Sequence, residues 1–336
     1  MADGIDAVGE GVSMPTIADV AQAAGVSIST VSYVMSGKRT ISQETRDRVE
    51  QAMVDLAYSP QASARSLASR STSVLGLQAP IRAGVDVHVV MQIVAGALKE
   101  ARVHHHDILL LTSDDAAGVE RAARAGMVDG VLILDVETSD PRVGTLAELS
   151  IPSVLIGLPE GADQLVCVDF DFEAAGRLAA QRLAERGHTT VALLGAPPQV
   201  QARHTSYSDR LTRGFRAASA EVGLTATIHS CPAGPGATEV VDALLTDSPE
   251  TTALFVHNEA ALPFIAARLM GSASPIEIIA LSPAELALPV PGVSDVIDLP
   301  AEELGAAGAR ALLAAIRGER QLGAELLAPR FAGEAG

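Results

Sequence analysis

The chain has 336 residues, 48% hydrophobic and 19% charged, with a net charge of −17. That composition fits two or three globular domains with sizeable cores and excludes a disordered chain; an acidity of this size also argues against a protein that coats nucleic acid with its whole surface. The two cysteines, Cys167 and Cys231, lie far apart without metal-ligand spacing, and no run is apolar and long enough to span a bilayer.

Residues 1–14 have no basic stretch followed by an apolar core, so they read as a disordered tail rather than a signal peptide, and the chain as cytoplasmic. At Thr16 the pattern changes. Thr16 can cap a helix, and Ile17, Val20, Ala21 and Ala24 then fall on one helical face. Gly25 can end that helix in the left-handed region. Ser27 is placed to cap a second helix, in which Val31 and Val34 turn toward the first. Ser42 opens a third, with Val49, Ala52, Met53 and Leu56 on one face. Two helices joined by a glycine turn, the second opening on small hydroxyl residues, form the layout of a helix-turn-helix DNA reader. Residues 15–72 carry six basic and five acidic side chains and residues 1–14 three acids, which leaves −15 on the rest of the chain. DNA would repel that rest, so only the front of the molecule is expected to touch a duplex, with a strongly salt-dependent grip.

From Val74 onward, short apolar runs alternate with Ala-rich amphipathic stretches. Strands are expected at V-L-G-L-Q, D-I-L-L-L-T, V-D-G-V-L-I-L, S-V-L-I-G-L, L-V-C-V-D, T-V-A-L-L-G, A-L-F-V-H-N, I-E-I-I-A-L and D-V-I-D-L. Helices are expected at Val90–Val103, Glu173–Arg186, Asp209–Val222 and Ala301–Ile316. Continuous apolar strands separated by helices predict parallel sheets buried on both faces. So many such units predict two doubly wound sheets, with a ligand cleft at the carboxyl ends of the strands.

The strings T-I-A-D-V-A, A-G-V-S, T-V-S, T-R-D-R-V, Y-S-P and A-R-S-L follow one another between Thr16 and Leu67. In them the chain resembles the DNA-binding headpiece of the lac repressor (LacI/GalR) family almost position by position. V-D-G-V-L-I, I-P-S-V-L-I-G, D-F-D-F-E-A-A-G, G-F-R-A-A, H-N-E-A-A-L and P-A-E-E-L-G extend the resemblance, more loosely, to the family's periplasmic-binding-protein-like region. The implied organisation is a headpiece over 15–60, a hinge over 61–73, a first lobe of 74–168 with 297–320, and a second lobe of 169–296 with 321–336. The resemblance implies that Ile28, Ser29 and Tyr33 read base edges and that Thr16, Ser27, Thr30 and Ser32 grip phosphates. It assigns Ala64 and Leu67 of the hinge to DNA as well, Leu67 as a minor-groove wedge. None of the three reading positions is Arg, Gln or Asn, so bidentate readout of G or A from them is absent.

For the effector, strand-end position and family match point to Asp86, Asp169, Tyr207, Arg210, Asn258 and Glu259. For Asp86, as for His88 and Arg203, a surface-loop reading fits at least as well. Asp114, Asp115, Asp135 and Glu137 read as helix caps and loop residues, and His104–His106 as a helix C-terminal turn rather than a metal site. The text departs from the family at several places: P-I-R-A-G-V-D-V-H-V-V-M replaces a loop with an aromatic pair, A-L-S-P replaces G-F-D-D, and Leu211 stands where an arginine is usual. With no Trp and only Tyr207 outside the headpiece, a standard pyranose clamp is not expected. Neither a dinucleotide fingerprint nor G-x-S-x-G appears, so no cofactor and no enzymatic activity are expected. The resulting expectation is a repressor acting as a homodimer on a palindromic operator and tuned by a small polar effector, a sugar or related metabolite. A constitutive DNA binder with a vestigial cleft and a solute receptor remain alternatives.

Overall fold

A computed structural model describes residues 15–36, 39–56, 58, 71–270, 275–319 and 321–334. Contacts divide it into two units, 1–72 and 73–336. The expectations for the tail, for Ala64 and for Leu67 lie outside the described residues.

The first unit holds three helices, α1 (Ile17–Ala24), α2 (Ile28–Ser36) and α3 (Gln43–Asp55). Thr16 and Asp19 form a reciprocal capping box: each side chain accepts from the other residue's backbone N–H, which satisfies two donors the first turn would leave orphaned. Gly25, at φ 65, closes α1 in the left-handed region, where a Cβ would be strained. Val20, Val31 and Val49, all fully buried, join the three helices with Ala21, Ala24, Val34, Ala52 and Tyr58 into one small core.

The second unit contains two wholly parallel sheets. The first has the order β11-β5-β4-β3-β1-β2, from β1 (Val74–Gln78), β2 (Asp107–Leu111), β3 (Gly130–Ile133), β4 (Ser153–Ile156), β5 (Val166–Phe170) and β11 (Gly323–Leu327). The second has the order β10-β9-β8-β6-β7, from β6 (Thr190–Gly195), β7 (Thr225–Ser230), β8 (Ala253–Val256), β9 (Glu277–Ser282) and β10 (Val293–Asp298). Each sheet separates two apolar clusters, one against each face, which is why the strands read as unbroken apolar runs. The two-doubly-wound-sheet fold expected from the sequence is the fold observed.

Helices α4 (Val87–Val103) and α13 (Ala301–Ile316) pack on the first sheet. Helices α7 (Phe172–Glu185) and α9 (Ser206–Glu221) pack on the second. The last pair is very close: a Cβ on Gly214 would stand 2.0 Å from the Glu173 carbonyl oxygen, so only glycine permits the approach. The remaining helices are α5 (Ala116–Arg124), α6 (Val143–Glu148), α8 (Pro198–Ala202), α10 (Ala237–Asp247), α11 (Leu262–Leu269) and α12 (Ala284–Ala287).

The lobe limits differ from the expectation in three places. Gly323–Leu327 pairs with β5 in the first sheet, not with the second lobe, because an apolar edge there accepts a sixth strand in register. Asp169 and Phe170 still belong to β5, and Ile297 and Asp298 still belong to β10. The chain passes between lobes after β5, β10 and β11, and these passages are stitched together: Asp171 N donates to Leu327 O and Asp298 N to Arg330 O. No described helix is long and apolar enough to cross a membrane.

Candidate functional site

In the first unit, α2 presents two faces. Val31 and Val34 are buried, whereas Ile28 is 51% and Tyr33 37% exposed, with Ser27 and Ser29 also exposed. Exposed apolar and aromatic side chains on a helix whose opposite face anchors it are what contact with base edges requires. Ser27 caps the helix: its Oγ accepts from Thr30 N at 3.1 Å and lies 2.8 Å from Thr30 Oγ1. Ser27 and Thr30 thus keep hydroxyls at the start of α2, where backbone N–H groups and the helix dipole favour a phosphate oxygen, whereas Thr16 Oγ1 donates to Asp19 Oδ2 at 2.7 Å. The Arg39 guanidinium stands 5.8 Å from the Tyr33 ring centroid, a cation–π contact that steadies the ring and adds positive charge beside it.

In the second unit, the strand orders place a topological switch point between β1 and β3 in one lobe and between β6 and β8 in the other. A cavity opens there, between the carboxyl ends of the two sheets, as the parallel-sheet rule expects. Its open volume is about 130 Å³. One water needs roughly 10–15 Å³ of such space, so it holds about ten waters or a ligand of similar heavy-atom count. Val85, Val89, Val90 and Ile93 wall one side, and Leu134, Val136, Ile156, Phe172, Leu299 and Leu304 much of the rest. Asp86, Asp135, Asp169, Tyr207, His257 and Glu259 bring polar atoms to it.

Four of the six expected effector residues therefore line one cavity: Asp86, Asp169, Tyr207 and Glu259. The other two have different employment. Arg210 Nη1 donates to Asp169 Oδ2 at 2.6 Å and Nη2 to Asp171 Oδ1 at 3.3 Å. Its guanidinium is absorbed by the chain's own carboxylates and does not line the cavity. Asn258 Nδ2 donates to Cys231 O at 2.6 Å, and its Oδ1 accepts from Ala261 N at 3.1 Å. It organises the turn leading into α11, although it also lines an adjoining cavity that shares Asp86, Tyr207, His257 and Glu259. The reason is its position one step beyond the residue that faces the cleft: His257 does that instead.

His257 is 6% exposed, with its ring 5.7 Å from Phe172 and 5.6 Å from Tyr207, and its Nδ1 has no hydrogen-bond partner. Burial lowers its pKa to about 4, so at neutral pH it is an uncharged imidazole. Enclosure raises Glu259 to about 7, with the nearby Asp86 carboxylate adding to the effect. Burial likewise raises Asp169 to about 7, against the pull of Arg210, and raises the Tyr207 hydroxyl. The two cysteines are free and buried, each thiol raised to about 11 by burial.

Asp135, read from the sequence as a loop residue, is a junction. Its carboxylate lies 3.3 Å from Arg82 and 3.6 Å from Arg203, which also anchors Arg203 to the site. Arg142, buried, braces the loop that carries Asp135 through Asp140, Gln78 and the Asp135 carbonyl. Beyond it a further link joins the lobes. Glu137 and Thr205 form an antiparallel bridge, with Ser206 N donating to Val136 O at 2.9 Å and Thr138 N to His204 O at 2.7 Å. Thr138 Oγ1 also donates to Asp209 Oδ2 at 2.7 Å. Asp135 and His204, at the ends of this clasp, both have positive φ near 50°, a local strain that its hydrogen bonds hold in place. Asp86 caps α4, accepting from His88 N and Val89 N, while His88 is exposed and outside the cavity. Asp115 caps α5 as expected. His104 ends α4, and among the described residues no cluster could hold a metal.

Family and structural comparisons agree with this two-part layout. Residues 16–61 match the family of bacterial regulatory proteins of the lacI type, and residues 180–331 a periplasmic binding protein-like domain. The chain is 35% identical over 210 residues to the HTH-type transcriptional regulator AglR of Rhizobium meliloti (strain 1021), a match covering 61% of this chain and 58% of that protein. It is 28% identical to catabolite control protein A of Priestia megaterium, over 73% of this chain and 74% of the other. The match thus spans little more than half of the AglR relative. Among solved structures, a complex of the transcriptional regulator CelR with cellobiose superposes with a TM-score of 0.64 at 25% identity, over 94% of this chain and 98% of that one. The lac repressor dimer bound to operator and the anti-inducer ONPF superposes at 0.78 with 21% identity, over 94% and 97%, a likeness of fold. These relatives are regulators, not enzymes.

Proposed function

We propose that the chain, whose residues 16–61 match the lacI family of bacterial regulatory proteins and residues 180–331 a periplasmic binding protein-like domain, is a cytoplasmic, nucleoid-associated transcriptional repressor of that family that binds a palindromic operator as a homodimer and releases it when a small effector enters the interlobe cavity. One observation carries the DNA-binding half: α2 is fixed by Val31 and Val34 and turns Ile28, Ser29 and Tyr33 outward. On this reading those three meet base edges, Thr16, Ser27, Thr30 and Ser32 meet phosphates, and Ala64 and Leu67 meet the minor groove. Two copies related by a two-fold axis match two half-sites one helical turn apart. The effector half is supported by Asp86, Asp169, Tyr207 and Glu259 converging on one cavity at the strand ends. A ligand that bridges both lobes favours one lobe closure over another, and that difference in affinity is what couples the two sites.

The test is selection of binding sites from random duplexes by the full-length protein, followed by titration of the selected duplex at several salt concentrations. A palindromic motif with steeply salt-dependent affinity is expected. No enriched motif would overturn the reading.

A further inference from the structure

The cavity has an unusual balance of walls and charges. Its sides are aliphatic, from Val85, Val89, Val90, Ile93, Leu134 and Leu304. Its charged lining is wholly acidic: among the described residues that border it there is no Lys or Arg. Two of the four acids are already neutralised, Asp169 by Arg210 and Asp135 by Arg82 and Arg203. Glu259 makes no ion pair among the described residues, and Asp86, which caps α4 through Oδ1, lines the same cavity with it. Beside them stands the buried Nδ1 of His257, with no partner.

We propose that the effector is a compact, mostly apolar molecule carrying one basic amine, whose ammonium meets Glu259 and Asp86 while its hydrocarbon part lies against the valine and leucine walls. The inference rests on the regulatory reading above for the word effector, but its chemistry comes from the cavity alone. A carboxylate or phosphate ligand would enter a site lined by two unneutralised acids and by no cation, since Arg82 and Arg203 stand behind Asp135 rather than in the lining, so like-charge repulsion disfavours it. A sugar presents hydroxyls on every side, and most would face Val85, Val89, Val90, Ile93 and Leu304 with their hydrogen bonds to water lost. An ammonium removes the repulsion between Glu259 and Asp86, and an apolar body replaces water along the walls. Phe172 and Tyr207 border the same space, and aromatic neighbours suit a ring or a cation. His257, uncharged, adds a single hydrogen-bonding nitrogen without opposing the ammonium.

The test uses isothermal titration calorimetry on the full-length protein at pH 8 with phenethylamine, its neutral isostere 2-phenylethanol, its anionic counterpart 3-phenylpropionate, glucose and cellobiose. Phenethylamine is expected to bind, 2-phenylethanol about tenfold or more weakly, as the loss of one charge-assisted hydrogen bond implies, and 3-phenylpropionate not at all. Glu259→Gln should weaken phenethylamine about tenfold or more and narrow its advantage over the alcohol. Val85→Lys, on the loop before α4, would seat an ammonium in the cavity and is expected to abolish amine binding. Equal affinity for the amine and the alcohol, or no amine binding at all, would overturn the inference. Binding of glucose or cellobiose in place of the amine would overturn it too, yet leave the regulator reading standing. Amine binding by a protein that selects no operator would do the reverse.

Discussion

Arg210 Nη1 lies 2.6 Å from Asp169 Oδ2, and both side chains are buried. Asp169 is the penultimate residue of β5 in the first sheet, and Arg210 rides on α9 of the second lobe, so the pair is a strut between lobes. A guanidinium so placed is not available to a ligand, although its position in the sequence suggests one.

Removing one partner of such a pair leaves an uncompensated buried charge or an unpaired polar group. Arg210→Met is expected to destabilise the second unit by about 3–5 kcal/mol in urea unfolding. The double variant Arg210→Met with Asp169→Leu should recover much of that loss, because it removes the orphaned carboxyl. No recovery would mean that the two act independently.

His257 gives the stability a pH dependence of known sign. Its folded pKa, about 4, is below the ordinary 6.5. The unfolded chain therefore binds a proton that the folded chain refuses as pH falls from 6.5 toward 4, and stability drops across that window. By pH 5 the loss from this group is about 2 kcal/mol. Asp169 and Glu259, both raised to about 7, act oppositely: their contribution is greatest at low pH and lost as pH rises toward 7. The comparison is thus between parent and His257→Phe, which keeps an aromatic ring beside Phe172 and Tyr207. Between pH 7 and pH 5 the variant should lose less stability than the parent; parallel pH profiles would mean that His257 titrates normally.

Asn258 is expected to matter for folding first. Asn258→Ala strips a hydrogen bond from Cys231 O and another from Ala261 N, both buried. A loss of about 1–3 kcal/mol in denaturant unfolding is expected, with phenethylamine affinity measured by calorimetry changing less than it does in Glu259→Gln. Stability equal to the parent's, with binding abolished, would make Asn258 a ligand contact instead.

The clasp between lobes can be loosened at one residue, Ser206, whose Oγ also donates to Leu158 O. Ser206 N donates to Val136 O, and Ser206 is the first residue of α9, where proline is tolerated because that N–H has no helical partner. Ser206→Pro should keep its helical content by circular dichroism. Its radius of gyration in small-angle scattering should rise as the lobes separate more freely. An unchanged radius would mean that the remaining ties, Thr138 to His204 and Asp209, the Arg210–Asp169 pair and the three crossings, suffice to set lobe closure.

Tyr33→Ala addresses DNA. The exposed ring, steadied by Arg39, is expected to discriminate one base pair per half-site by about 1–3 kcal/mol. Binding-site selection with the variant should flatten that position only; an unaltered motif would remove Tyr33 from the readers.

Much of this was legible in one dimension. Thr16, Gly25, Ser27 and Ser42 punctuate the three small helices, and caps and turns act on neighbours in the chain, so local text suffices for them. The parallel strands are legible for a similar reason: burial on both faces writes β3, β4 and β8 as unbroken apolar runs. Thr225–Ser230 and Gly323–Leu327 escaped, since these edge strands are half exposed and their text, T-A-T-I-H-S and G-A-E-L-L, lacks the apolar run that the equally exposed edge strand β2 keeps. The site was only partly legible. Asp86, Asp169, Tyr207 and Glu259 stand at strand or helix ends, and the strand-end rule finds such residues. His257, one place before Asn258, was passed over because the rule names a loop and not the side chain that faces inward. Asp135 looked like a cap, and its partners Arg82 and Arg203 come from distant loops.

What the sequence determined by itself is everything that short-range chemistry controls: the helix-turn-helix, the alternation of strand and helix, and the division of charge that leaves the front of the chain slightly cationic and the rest strongly acidic. What only the tertiary structure decided is which charges remain unpaired. Arg210 and Asp169 are 41 residues apart and become a neutral strut only when β5 and α9 meet, while Glu259 and Asp86 meet no cation among the described residues. Ion pairing falls off steeply with distance in space and is indifferent to distance along the chain, so the character of the cavity is written in the packing.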